Sequence, residues 1–127
     1  MVVDLDEAFE HIEEFWSPHV AGELNGQHVK LARVEGTFDW HHHEDADELF
    51  FVHEGELTIR FRDRKDVHLS PGQFHVVPAG VDHRPVADEE CRLMLFEPAD
   101  TLNTGNVESE RTVEDEKRLE PGDRWGY

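Results

Sequence analysis

The sequence predicts an all-β protein, a barrel or jelly roll of antiparallel strands with one N-terminal helix packed against its outside. Three observations lead there. Between residues 27 and 97, short stretches rich in Val, Leu, Ile and Phe are divided by glycines, prolines and acidic turn formers, the punctuation of an antiparallel barrel. Within them Leu57, Ile59 and Phe61 alternate with Thr58, Arg60 and Arg62, so one face is buried and the other wet. Clear helical spacing is found near the N-terminus, where Leu5, Phe9, Ile12 and Trp16 fall on one face.

Taken in order, residues 4–16 read as a helix. Asp4 and Glu7 have the form of a capping box, and Ser17-Pro18 ends the segment. Its aromatic stripe is expected to pack on the outside of the barrel. Asn25-Gly26 marks a turn, and residues 27–35 form a strand with Val29 and Leu31 on one face. Further strands are expected near 37–43, 48–54, 56–62, 66–69, 73–77, 83–87 and 91–97. Gly55 falls between two of them, where a positive φ would suit it. By parity Phe50 and Val52 share the face of Glu48, while Leu49 and Phe51 face outward and need cover from the helix or a second subunit. Either Leu93 and Leu95 or Met94 and Phe96 line the interior. A short helix is expected within 109–119. The organisation is thus a lead-in (1–26), a barrel (27–98) and an acidic C-terminal tail (99–127), with Trp125 and Tyr127 as anchors for docking on a partner subunit if the tail is not loose.

The 127 residues suffice for one domain with a modest core. Thirty acidic residues against twelve basic ones leave a net charge of -18, which argues against nucleic-acid or anionic-membrane binding. An acid-rich, lysine-poor surface also suits a halophilic host, where molar salt screens self-repulsion. Without a long apolar run or a leader-like start, a cytoplasmic protein is expected. Cys91, the only cysteine, is expected to pack as a small apolar residue.

The chemistry concentrates in two stretches, Gly36 to Gly55 and Gly72 to His83. On an extended chain His41 and His43 project together while His42 points away. A bend in the acidic segment 44–47 would bring Glu48 onto a neighbouring strand within reach of both, and His83, after the Pro78-Ala79-Gly80 turn, could complete the group. Three imidazoles and a carboxylate suit one divalent transition metal ion, Fe, Mn, Ni, Cu or Zn, whereas Ca or Mg would prefer oxygen ligands. Four titratable groups buried in a small barrel without a cation would be costly. Asp39 is read as a rim residue or an orienting partner, and Trp40 as packing.

The spacings Gly36-x4-His41-x-His43-x4-Glu48-x6-Gly55 and Gly72-x5-Pro78-x-Gly80-x2-His83 resemble the two motifs of the cupin superfamily. The first glycine sits one residue closer to its histidine than is usual, and Ala87 replaces a frequent asparagine at a position that is not a ligand. The resemblance covers roughly residues 27–97. It implies a cupin barrel, metal bound by His41, His43, Glu48 and His83, a small-molecule ligand in the barrel, and a homodimer. It does not imply a reaction, because cupins host many. A metalloenzyme, oxygenase-like or sugar isomerase-like with Glu48 as a detachable base, is the leading expectation. The alternative is a non-catalytic, metal-dependent protein that binds or senses a small metabolite.

Overall fold

A computed structural model describes residues 2–119. Helix α1 spans Leu5–Glu10 and is capped by Asp4, whose carboxylate accepts from Glu7 N. It is shorter than its apolar spacing predicts. Beyond His11 the chain leaves the helix, and Phe15 forms a bridge with Arg33 while Trp16 N donates to Arg33 O. The guanidinium of Arg33 in turn donates to Ile12 O at 2.7 Å. Tertiary partners therefore take the backbone groups that a longer helix would use. The expected outside packing holds: Ala8, Phe9 and Ile12 are buried against Leu31, with Met94 and Ala21 beside them.

The strands are β1 (His19–Leu24), β2 (Gln27–Thr37), β3 (Glu48–Glu54), β4 (Leu57–Phe61), β5 (Val67–Leu69), β6 (Phe74–Val77) and β7 (His83–Pro98). They form a 7-stranded antiparallel sheet whose main path is β1-β2-β7-β3-β6, with β4 joining β7 to β5. Strand β7 is the spine. Its first half pairs with β4 and its second half with β3, while β2 runs along nearly all of it. The sheet curls into a jelly roll, although no ladder joins its outer strands into a closed ring among the described residues.

Three strand expectations change. Strand β1 was not foreseen, because HVAGEL is short and weakly alternating, and it is set by the Asn25-Gly26 turn that folds it onto β2. Residues 83–98 form one strand where two were expected, since Asp88 to Glu90 stay extended opposite the β2 bulge near Gly36. The expected strand at 37–43 reduces to a single bridge between His41 and His83. There the neighbouring backbone groups bond to loops instead, Gly80 N to His43 O and Asn106 N to His42 O.

The core inside the roll is built from the inward parity of each strand: Ala32 and Val34, Phe50 and Val52, Leu57, Ile59 and Phe61, Cys91, Leu93 and Leu95. Leu93 and Leu95 thus face inward, and Met94 lies against the helix side. Gly55 has φ +89°, and a Cβ there would stand 2.7 Å from Glu90 O, so both the turn and the close approach require glycine. No helix among the described residues is long and apolar enough to cross a membrane.

After β7 the chain does not form the expected helix at 109–119. It crosses back over the same barrel. Ser109 Oγ and Arg111 donate to the Asp39 carboxylate at 2.6 and 3.1 Å, Asn106 exchanges bonds with the His42 backbone, and Leu119 N donates to Val20 O. Gly105, at φ +55°, lies so close to His42 O that a side chain would collide with it. Trp125 and Tyr127, the expected anchors, lie outside the described residues.

Candidate metal centre

Three devices bring the residues of the expected site to the interior. His41 and His83 are locked opposite each other by reciprocal backbone bonds, His41 N to His83 O at 3.0 Å and His83 N to His41 O at 2.8 Å. His43 follows two residues later on extended chain, held by the bond from Gly80 N, and Glu48 opens β3 on its inward parity. All four side chains are buried, and one donor atom from each lies within 4.8 Å of the others. The structure therefore brings together every residue that the sequence nominated.

The hydrogen bonds around the cluster aim it. His41 Nδ1 donates to Asp39 O and His83 Nδ1 to Val81 O, both at 2.9 Å. A carbonyl can only accept, so in the neutral rings the proton sits on Nδ1 and the Nε2 lone pair is free. Buried with no hydrogen-bond partner are His43 Nε2, His83 Nε2 and Glu48 Oε1. Glu48 Oε1 stands 3.3 Å from the first of these and 3.5 Å from the second. Buried polar atoms crowded together with no partner are costly, and a shared cation satisfies them all. The donor set fits one transition metal ion.

The electrostatics agree. Burial, and then the charge of His83, pushes His41 down from 6.5 to about 4, so its ring is neutral and able to ligate near neutral pH. Glu48 and Glu97 are hydrogen-bonded to each other in the interior. Burial raises both, but they part company. Glu97 rises well above the usual range through burial and the charge of Glu48, while at Glu48 the bond from Glu97, with His43 and His83 close by, outweighs burial and holds it low. One proton between two carboxyls therefore belongs to Glu97, leaving Glu48 charged and facing the imidazoles.

Behind Glu97 stands an ion that sequence reasoning missed. Lys30 is 0% exposed, and its ammonium donates to Glu97 Oε2 at 3.2 Å and Thr101 O at 3.1 Å and pairs with Glu116 Oε1 at 2.7 Å. Its sequence signal was parity: Lys30 alternates with Ala32 and Val34 on the inward face of β2, as Glu97 does with Leu93 and Leu95 on β7. Glu116 had no such signal, because it arrives on the returning C-terminal segment.

His42 points away, as alternation requires, with its two ring nitrogens on Asp82 and Glu44 at 2.8 and 2.6 Å. Those carboxylates, Glu44 first, raise its pKa. Asp39 does two jobs that the sequence did not separate: its carbonyl orients His41 and its carboxylate ties down the C-terminal segment. Trp40 packs under three arginines, with the Arg62 guanidinium 4.2 Å from its ring centre.

A cavity of about 40 Å³ adjoins the cluster, with Trp16, Phe38 and Phe50 among its walls and His41, Glu48, Glu97, Asn103 and Glu116 as its polar lining.

Residues 27–97 match the family described as the cupin domain. Among solved structures, a cupin-2 domain containing protein from Shewanella frigidimarina NCIMB 400 superposes with a TM-score of 0.74 at 45% identity, covering 76% of this chain and 94% of that one. Protein NMB1881 from Neisseria meningitidis superposes with a TM-score of 0.71 at 29% identity, covering 78% of this chain and 100% of that one. Among curated proteins, uncharacterized protein YdbB of Bacillus subtilis (strain 168) is 47% identical over 62 residues, 49% of this chain and 55% of that protein. A 3-hydroxyanthranilate 3,4-dioxygenase of Xenopus laevis is 26% identical over 103 residues, 76% of this chain and 36% of the enzyme. The matches thus span about half of one curated relative's length and about a third of the other's.

Proposed function

The chain belongs to the cupin domain family, and on that footing we propose that it is a mononuclear metalloenzyme, oxygenase-like, acting on a small molecule. His41, His43, Glu48 and His83 hold one divalent transition metal ion, Fe, Mn, Ni, Cu or Zn. The observation that carries this reading is the set of orphaned, buried ligand atoms on His43, Glu48 and His83, all turned toward one point. The ion, when bound, supplies a Lewis-acidic or redox centre with open positions beside its protein ligands. The chain's own part is to orient and to manage protons. Asp39 O and Val81 O keep two imidazoles in the ligating tautomer, apolar walls exclude water, and Glu48 receives a substrate proton while Glu97 holds another within a hydrogen bond of it.

Similarity to a dioxygenase supports the oxygenase class over the sugar isomerase, and the cavity of about 40 Å³ favours a small ligand. The same small volume favours, as a second reading, a metal-dependent metabolite binder without turnover. Both readings place the protein in the cytoplasm as a homodimer. Support for pairing is the apolar outer face where Phe74 and Val76 of β6, 62% and 41% exposed, lie beside Phe51 and Leu49.

The test is elemental analysis of protein purified without chelator, on the wild type and on the His41→Ala/His83→Ala double variant. About one metal per chain in the first and none in the second is expected. Oxygen uptake with ligand in excess then separates enzyme from binder, since a binder saturates and stops. Absence of metal in both proteins, even after each ion is offered, would overturn the reading.

A further inference from the structure

The polar atoms around the cavity are nearly all spoken for, and what remains free decides what can enter. Trp16 Nε1 donates to Glu35 O at 2.9 Å. Asn103 donates through Nδ2 to Arg111 O at 2.7 Å and accepts through Oδ1 from Val113 N. His41 Nδ1 is spent on Asp39 O. The nearest ammonium, Lys30, has three protons and three acceptors: Glu97 Oε2, Thr101 O and Glu116 Oε1. No lysine or arginine lines the cavity among the described residues. Glu116 Oε2, by contrast, is buried with no hydrogen-bond partner, on a side chain only 11% exposed.

We infer that the cavity selects a small molecule that carries a hydrogen-bond donor, such as a hydroxyl, at the end remote from the metal, and rejects one carrying a carboxylate or phosphate there. Glu116 is the specificity-determining residue, because its orphaned Oε2 is the acceptor waiting for that donor. This rests on the proposed metal centre, which would hold the other end of the ligand. An anionic tail would meet carboxylate oxygens with no free donor to receive it, and leaving a buried charge unpaired is what costs affinity. A donor satisfies an atom that otherwise stays unsatisfied. Size points the same way: about 40 Å³ is room for on the order of three water-sized groups, so a ligand held at the metal keeps its remote end among the lining residues, of which Glu116 is one. The selection is written partly by the C-terminal segment, since Glu116 and Asn103 both belong to it.

The test uses cobalt(II)-loaded protein and three thiols of similar size that share a metal-binding end: 2-mercaptoethanol, mercaptoacetate and ethanethiol. Cobalt content is measured first, and binding is then read from the thiolate absorption band and by calorimetry. Wild type is expected to bind 2-mercaptoethanol roughly tenfold tighter than either of the others, the worth of one hydrogen bond to a charged acceptor. Glu116→Gln, which offers an amide proton in place of a charge, is expected to bring mercaptoacetate level or ahead. If cobalt is bound but mercaptoacetate is preferred by the wild type, or the ratio is unmoved in Glu116→Gln, this inference is overturned and the metal centre stands. If no cobalt is bound, the metal centre itself falls and the inference with it. Should Glu116→Gln fail to fold by thermal melting, the wild-type order of the three thiols decides alone.

Discussion

At the scale of single residues, burial is what turns ordinary side chains into a site. His41 titrates at about 4 instead of 6.5, because burial and then the charge of His83 disfavour its imidazolium. The folded value lies below the unfolded one, so the unfolded chain takes up a proton between the two. The stability that a neutral His41 provides is complete above about pH 6.5 and drains away as pH falls toward about 4. Urea melts of metal-free protein across that window are expected to show the loss, and His41→Asn to show less of it. An equal loss in the variant would mean that other groups carry the effect. Metal affinity is expected to fall through the same window, as protons compete for the ligands. Cys91 illustrates the bland case. Burial, then Glu56 and Glu90, push its thiol up to about 12, so it packs and does not react.

At the scale of elements, two attachments set the shape of the site. Helix α1 docks through Phe9, which is 0% exposed and whose ring has the Arg92 guanidinium 5.7 Å from its centre. Phe9→Ala is expected to cost about 3 kcal/mol in a denaturant melt while leaving metal content unchanged, since the helix covers the outer face of β2 and β7 and not the cup. The C-terminal segment is tied at Asp39, by Ser109 and Arg111. Asp39→Ala is expected to cost only about 1 kcal/mol, because the pair is part-exposed, yet to speed hydrogen exchange across residues 103–113 markedly. Unchanged exchange would show that Asn106 and Gly105, packed against His42, hold the segment alone. The loss of the expected strand at 37–43 belongs here too. The stretch has strand-like composition, but loops took its backbone groups, and only the His41–His83 bridge survived.

At the scale of the whole molecule, charge and the uncovered outer face make linked predictions. With a net of -18, the compact state repels itself, and screening relieves it. The melting temperature is expected to rise by several degrees, on the order of 1 kcal/mol, between low salt and molar sodium chloride. A flat response would remove the case for a halophilic habit. Sedimentation in the same high salt is expected to give a dimer and Phe74→Glu a monomer, because that substitution puts a charge in the middle of an apolar face. A monomeric wild type would sink the homodimer.

What the sequence by itself determined is whatever short-range geometry dictates. Period-two alternation placed Phe50, Val52, Leu57 and Ile59 inside, turned His42 away from His41 and His43, and two spaced motifs were enough to nominate all four members of the cluster. The tertiary structure alone decided what depends on contacts between distant segments. It chose Leu93 and Leu95 over Met94 and Phe96, since parity says which residues alternate and not which set faces in. It cut the helix at Glu10, fused the last two strands, and carried Glu116 back to meet Lys30 across the barrel. The charged lining of the cavity lay hidden for the same reason. An ion pair between β2 and a returning loop leaves no local pattern, because its energy comes from burial that only the assembled fold creates.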